Sequence, residues 1–471
     1  MYKIDFRHPV HVHFIGIGGI SMSGLARILI ERGFTVSGSD MKASPLTGQL
    51  EDQGAQVFIG QKAENIHDGI DLVVYSAAIH EDNPEFAETL KHGIPILSRA
   101  DLLGQIMDNF LRTIAVAGTH GKTTTTSMLT HILLQCDMDP TVSIGGILDR
   151  IGGNIRIGRS DVFLTEACEY TNSFLSLYPF YSIILNVEED HMDFFKDLDD
   201  IINSFRTFAF QTDPSGLVII NGDMPHTDAV LEGVQAAHIT FGLSKDNDYS
   251  AEDVVFDEKG NVSYSLIERG QKAGTIRLKV KGIHNVTNSL AAIACTRAMG
   301  LPLDMISSGL LSFGGTHRRF EFKGKIGDVT VIDDYAHHPT EIEATLRAAS
   351  EISHDDLWVV FQPHTYTRTR AFLPQFARAL SSADHVVLAD IFAAREPDTG
   401  LVSSGDLAEI ISQAGTDTSY FHTFEEIEDY LLSRIGGKDL VLTVGAGDIV
   451  ELGEELLEKA ASGSKEQTEN E

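Results

Sequence analysis

The apolar positions fall into short runs separated by amphipathic stretches of helix length. HVHFIGIG (11–18) reads as a buried strand, SGLARILIERG (23–33) as a helix ended by glycine, and FTVSGSD (34–40) as the next strand. AQVFIG (55–60) and DLVVYSAAI (71–79) extend the series. A second series opens with TIAVAG (113–118) and the helix GKTTTTSMLTHILLQ (121–135), then DVFLTEA (161–167), SIILNV (182–187), LVII (217–220) and AHITFG (237–242). Residues 253–281 alternate apolar and polar positions around glycine turns, which predicts an antiparallel meander on a sheet edge. The helical HNVTNSLAAIACTRAMG (284–300) follows. A third series comprises VTVIDDY (329–335), a helix over 339–349, LWVVFQPH (357–364), another helix, HVVLADI (385–391), DLVLTVGAGD (439–448) and a helix to about Lys459.

Near-continuous Val/Ile/Phe runs alternating with helices belong to parallel sheets covered on both faces. The fold class is therefore α/β with three consecutive domains. A Rossmann-like domain is expected over 1–110, and a central P-loop ATPase-type domain, mostly parallel with an antiparallel edge, over 111–316. A Rossmann-like C-terminal domain is expected over 317–460. The polar residues 461–471 lack anything to bury and are expected to be a disordered tail.

The length of 471 residues agrees with three domains at about 150 residues each. A balance of 42% hydrophobic and 22% charged residues is that of a soluble globular protein. The 36 basic and 68 acidic residues leave a net charge of −32. Such a surface disfavours nucleic acid, whose binding rests on Lys and Arg displacing counterions, and equally an anionic membrane. A local basic pocket for one phosphorylated small molecule stays compatible with it. Cys136, Cys168 and Cys295 form no CxxC pair, which excludes a disulfide framework or a four-cysteine zinc site and fits a reducing cytosol. No run approaches the roughly 18 apolar residues of a membrane span, and polar residues interrupt the N-terminus, so no signal peptide is expected. The expectation is a cytoplasmic protein, monomeric or a weak homodimer.

Chemistry is suggested first by Gly16-Ile17-Gly18-Gly19-Ile20-Ser21-Met22-Ser23-Gly24 after a strand, with Asp40 ending the next one. Glycines there let backbone approach a diphosphate at a helix start, and a carboxylate at Asp40 suits a ribose hydroxyl. The GxGxxG pattern is incomplete, since Ser21 stands at its last position, and a tight turn without a ligand is the alternative. The strongest local signal is Gly118-Thr119-His120-Gly121-Lys122-Thr123-Thr124. A phosphate loop needs amides in a nest, a Lys on the β/γ-phosphates and a hydroxyl on Mg²⁺. Val116 stands where the Walker pattern has glycine, so the loop is a compressed variant. Glu166 and His191 close neighbouring strands and are candidate Mg²⁺ ligands with Thr123, although a strand-end Glu or His is more often only capped or solvated. His284, Asn285 and Asn288 stand at a helix start, able to read a base edge or merely to cap. Asp333-Asp334-Tyr335-Ala336-His337-His338-Pro339 precedes another helix, and His364, Tyr366, Arg368 and Arg370 make a cationic cluster. A metal on His337 and His338 lacks a spaced third ligand.

GTHGKTTT, EDHMD, GIHNVTNSLAA, DDYAHHPTE and FQPHTYTRTR, in this order, resemble the Mur ligases of bacterial cell-wall synthesis over about residues 11–450. IGIGGISMSGLA and VSGSD resemble the branch that adds the first amino acid, L-alanine, to UDP-N-acetylmuramate. The resemblance implies a UDP-sugar site at Gly16, Gly18, Gly19, Ile20, Ser21, Asp40 and Ser76. It implies ATP on Gly118–Thr124, with Lys122 on the phosphates and Thr123, Glu166 and His191 around Mg²⁺. His284, Asn285 and Asn288 would lie on the adenine side, and Arg318 and Asp333 would close on ATP. Tyr335, His337, His364 and Arg368 would take the amino acid. The chain departs from the family at Ser21 and at Cys168-Glu169-Tyr170-Thr171, which replaces an acidic Asp-Glu-Ser-Asp run. The ligand role therefore falls on Glu166, with Glu169 unassigned and Cys168 expected to be buried and inert. The DNPR-type segment of diaminopimelate-adding relatives is lacking.

ATP would phosphorylate the lactyl carboxylate to an acyl phosphate, which the alanine amine attacks. Lys122, Mg²⁺ and Arg318 would neutralise charge, Arg368 would pair with the alanine carboxylate, and His337 is one candidate base. Three other readings compete. A recycling ligase would attach a preformed tripeptide to the same sugar nucleotide. An NAD(P) oxidoreductase would use Gly16–Gly24 and Asp40 but leave the phosphate loop idle. A nucleotide-sensing module would need neither Glu166 nor His191.

Overall fold

The computed structural model describes residues 2–76, 78–257, 260–394 and 396–469. The chain forms two compact units. The first comprises residues up to Val187 with Asp199–Asp248 and Ala291–Gly309, and the second Glu188–Leu198, Tyr249–Leu290 and Leu310 onward.

The first unit holds two sheets. Strands β1 (His11–Ile15), β2 (Thr35–Asp40), β3 (Gln56–Ile59), β4 (Leu72–Tyr75) and β5 (Ile96–Ser98) pair in parallel in the order β3-β2-β1-β4-β5. The order reverses beside β1, so the loop after β1 opens at the switch point where such sheets bind ligands. The second sheet uses β6 (Arg112–Ala117), β7 (Thr141–Leu148), β8 (Gly153–Arg156), β9 (Val162–Ala167), β10 (Tyr181–Ile184), β11 (Leu217–Asn221) and β12 (Ala237–Gly242). Within this unit their order is β12-β11-β10-β6-β9-β7-β8, parallel except for the β7–β8 hairpin. The hairpin was missed in the sequence because its Ser and Gly residues dilute the apolar alternation.

In the second unit, β13 (Tyr249–Phe256), β14 (Val262–Glu268) and β15 (Gln271–Arg277) form the expected antiparallel meander, of which Glu258 and Lys259 lie outside the described residues. The other sheet orders β16 (Glu321–Ile326), β17 (Val329–Asp334), β18 (Leu357–Phe361), β19 (His385–Leu388), β20 (Asp417–Tyr420) and β21 (Leu440–Val444) as β16-β17-β21-β18-β19-β20. Only β16 is antiparallel. Successive residues point to opposite faces, and both faces are buried. Ile332, Val359, Phe361 and Leu442 pack with Ile342, Leu346, Phe376 and Leu380 on one side. Val331, Trp358, Val360 and Val441 pack with Ile427, Leu431, Leu452 and Leu456 on the other. Continuous apolar runs in these strands are thus a requirement of two covered faces, each fully buried side chain adding about 1.5–3 kcal/mol.

The last helix runs Ile449–Glu469, past the expected end at about Lys459. In addition, β4 ends at Tyr75, short of the predicted run to Ile79, within which Ala77 lies outside the described residues.

Candidate functional site

At the end of β1 the chain turns at Gly16 (φ +86°) and enters the helix Ile20–Glu31 with Gly19 as N-cap. No side chain caps this helix, and Gly19, Ile20 and Ser21 are exposed. Asp40, at the end of β2, accepts the Gly18 amide at 2.9 Å. A Cβ on Gly18 would lie 2.8 Å from the Asp40 carboxylate, so glycine is what allows the two to approach. Ser76, after β4, borders the same loop, its Oγ 3.4 Å from where a Gly16 Cβ would stand. The structure therefore brings Gly16, Gly18, Asp40 and Ser76 together at one mouth.

The loop Gly118–Gly121 joins β6 to the helix Lys122–Gln135. Gly121 caps that helix at φ +84°, a left-handed conformation that costs a side chain strain. Asn186, beyond β10, clamps the loop: its Oδ1 accepts the His120 amide at 2.7 Å and its Nδ2 donates to the His120 carbonyl at 3.0 Å. The Lys122 ammonium donates to the carbonyls of Gly118 and Thr119 and to Glu169, whose nearer oxygen is 2.9 Å away. Burial works against its charge, but Glu169 and its neighbours outweigh that and push the pKa up to about 12. Lys122 is a fixed positive charge at any physiological pH.

Glu166 and Glu169 take different partners. Glu166 Oε1 accepts the Gly145 amide of β7 at 2.7 Å. A Cβ on Gly145 would lie 2.9 Å from Glu166 Oε2, and one on Gly146 would lie 3.1 Å from the Thr123 methyl. Thr123 and Glu166 therefore border the same glycine pair, two oxygen donors of the kind a hard divalent cation takes. Glu169, left unassigned from sequence, is the Lys122 partner and is only 2% exposed. Cys168, expected to be buried, is exposed, because the chain turns just after β9 and sends Glu169 inward instead.

In the second unit the predicted residues gather at the ends of β17, β18 and β21. Arg318 sits at φ +60°, donates from Nε to Asp333 at 3.3 Å and from Nη2 to the Gly445 carbonyl at 2.7 Å. Asp333 is wholly buried and takes a further bond from Thr443 at 2.8 Å; burial pushes its carboxyl up against these partners. Asp334 accepts the amides of Phe320 and Ala336, both at 2.8 Å, and burial raises its pKa to about 6. The Tyr335 ring lies 4.9 Å from the Arg318 guanidinium and 5.1 Å from that of Arg319, so it packs with both arginines as well as with His337. His337 Nδ1 donates to the Tyr335 carbonyl at 3.0 Å, which makes Nε2 its acceptor atom. His337 and His364 rings stand 5.9 Å apart. Burial, helped by Arg368, lowers both to about 4, so both are neutral at pH 7.

Arg368 donates to Asp190 and touches His364. Burial opposes the Asp190 charge, but Arg368, and after it His191, hold its carboxyl well below the usual carboxylate range. His191 also belongs to this unit, at φ +54°, with its amide on Asp190. His284 starts the helix Ile283–Ala298, and burial, then Arg319 and Arg347, lowers it to about 4. Asn285 anchors to the Lys281 carbonyl at 2.6 Å and receives Asn288 at 3.2 Å, so the trio is ordered by its own hydrogen bonds. Sequence reasoning missed Asn186, Glu169 and Asp190. Each stood inside a quoted motif, but nothing local tells which partner a polar side chain takes across the fold.

The chain matches three family descriptions in succession: "Mur ligase family, catalytic domain" over residues 11–111, "Mur ligase middle domain" over 116–296, and "Mur ligase, glutamate ligase domain" over 318–447. It is 55% identical over 459 residues to the UDP-N-acetylmuramate–L-alanine ligase of Agathobacter rectalis, covering 98% of this chain and 100% of that one. It is similar to the crystal structure of the UDP-N-acetylmuramate-alanine ligase MurC from Thermotoga maritima, with 30% identity and a TM-score of 0.79 over 96% of this chain and 99% of that one. A murein peptide ligase from Psychrobacter arcticus shares 26% identity and a TM-score of 0.68, covering 96% of this chain and 98% of that one.

Proposed function

The chain belongs to the Mur ligase family, and we propose how its residues join L-alanine to the lactyl carboxylate of UDP-N-acetylmuramate at the expense of ATP. The observation that carries the reading is the phosphate loop, with a permanently charged Lys122 behind amides fixed by Asn186. The three-domain division at 1–110, 111–316 and 317–460 assigns one substrate to each domain. The UDP diphosphate lies along Gly16–Ser21, where an uncapped helix start supplies amides, with Asp40 and Ser76 on the ribose side. The ATP phosphates lie on Gly118–Thr124. Thr123 and Glu166 suit Mg²⁺, which when bound neutralises charge on the β/γ-phosphates. His284, Asn285 and Asn288 read the adenine, and Arg318, oriented by Asp333, meets the phosphate charge.

A lactyl carboxylate oxygen attacks the γ-phosphorus in line, and the bond to ADP breaks. The resulting acyl phosphate has phosphate as leaving group where the free acid had only oxide. The alanine nitrogen attacks its carbonyl carbon, phosphate departs with the C–O electron pair, and the amine loses a proton. Lys122 and Arg318 carry the charge that develops on oxygen in both steps. Neutral His337 offers its Nε2 as an acceptor to the amine, while Nδ1 of His364 accepts from Arg368, and Arg368 receives the alanine carboxylate.

The test is phosphate release from ATP with Mg²⁺ and UDP-N-acetylmuramate, comparing L-alanine, the preformed tripeptide and no acceptor. Release dependent on L-alanine is expected. A preference for the tripeptide moves the protein to cell-wall recycling, and no release with either acceptor overturns the substrate assignment.

A further inference from the structure

The guanidinium assigned to the incoming amino acid is already occupied. Nε and Nη2 of Arg368 both donate to one oxygen of Asp190, Oδ1, at 3.3 and 3.1 Å. Nη1 lies 3.2 Å from Nδ1 of His364, so all three nitrogens have a partner. The pair is shielded from solvent, with side-chain exposures of 11% for Arg368 and 6% for Asp190. The Nε/Nη2 edge is one of the two on which a guanidinium forms parallel bonds to a carboxylate.

We propose that Asp190 is an internal stand-in for the amino-acid carboxylate: it holds the Arg368 fork until L-alanine displaces it, and so sets the enzyme's affinity for alanine. The proposal rests on the reading of Arg368 as the alanine receptor. The geometry favours exchange, because Asp190 serves the fork through a single oxygen. That same Oδ1 also accepts the His191 amide at 2.7 Å, dividing one acceptor among three donors. An alanine carboxylate can offer one oxygen to each N–H of the fork, the stronger two-bond pairing. Of the imidazoles nearby, His191 places Nε2 3.7 Å from the other Asp190 oxygen, Oδ2, while His337 and His364 are neutral. A receptor that is free only part of the time binds more weakly by that fraction. The contact thereby raises the alanine concentration at which the site fills.

The experiment uses the full-length enzyme with saturating ATP, Mg²⁺ and UDP-N-acetylmuramate, reading phosphate release against L-alanine concentration. Asp190→Asn keeps an oxygen for the His191 amide and removes the charge that holds Arg368. Its KM for L-alanine should fall about three- to tenfold, with the KM for ATP moving less than about twofold. L-Alaninamide, which has the amine and lacks the carboxylate, should inhibit both proteins equally. An unchanged or raised KM for L-alanine overturns the proposal, as does an equal gain for the amide. Arg368→Lys tests the underlying reading separately. It should raise the KM for L-alanine at least about tenfold, since Lys makes no fork, and an unaltered KM removes Arg368 as the receptor whatever Asp190 does. Asp190→Ser, uncharged and still able to accept from the amide, serves if the Asn protein does not fold.

Discussion

Lys122 and Arg368 are both largely buried cations bonded to a carboxylate, yet they are placed in different ways. Lys122 grows from a loop whose own carbonyls, Gly118 and Thr119, take part of its ammonium, and Glu169 stands only three residues past Glu166 at the end of a neighbouring strand. Arg368 depends on side chains alone, with Asp190 lying 178 residues away along the chain. The first site is backbone geometry with one charge set into it, and the second is a network whose members hold one another. A loop of this kind tolerates little change at its charge, whereas a side-chain network can be retuned.

The sharpest break of that comparison is Lys122→Ala. Removing a positioned charge from transferring phosphate should lower kcat on the order of 10³-fold, measured as L-alanine-dependent phosphate release. Comparable loss at Asp190 would erase the distinction between the two sites. Next in size is Asn186→Ala, which deletes both clamps on His120. Two bonds at about 1 kcal/mol each correspond to roughly a ten- to thirtyfold rise in the KM for ATP, with the KM for L-alanine little altered. A change confined to alanine would move Asn186 out of the loop's support.

Smaller again is Gly145→Ala. The new Cβ would stand 2.9 Å from Glu166 Oε2, so the carboxylate must shift. The Mg²⁺ concentration for half-maximal rate should rise roughly fivefold, as a misaligned hard-ion ligand binds less well. An unshifted Mg²⁺ titration would separate Glu166 from the metal.

These variants also mark how far the sequence could be read. The phosphate loop, the strands around it and the two covered faces of the C-terminal sheet were legible because near-continuous apolar runs and a glycine–lysine turn are local signals. The Gly145 approach was not, because β7 is too diluted by glycine to read as a strand. Glu169 and Glu166 are one strand-end apart, and which of them meets Lys122 depends on a turn after Ala167 that no spacing encodes. Asp190 was quoted inside EDHMD, yet its partner lies far along the chain. Motifs report which residues are present; pairing among buried polar groups is decided by packing.

The smallest effect works through protons. Among the described residues, His284, His337 and His364 in the second unit are lowered to about 4, chiefly by burial, as is His131 in the first. An unfolded histidine titrates near about 6.5. Between pH 4 and 6.5 the unfolded chain therefore holds protons that the native protein refuses, and stability rises with pH across that window. The contribution is complete above about pH 6.5 and is lost as the pH falls toward 4. Asp334, raised by burial to about 6, offsets part of it, because there the native protein keeps a proton that the unfolded chain gives up; Asp190 does not, since its carboxyl is held well below this window. Thermal unfolding should thus show a midpoint that falls steadily from pH 7 to pH 5, and His364→Gln should flatten that slope by removing one of the refused protons. A midpoint independent of pH in this range would mean that these imidazoles exchange with solvent, and the neutral His337 acceptor assigned to the alanine amine would go with it.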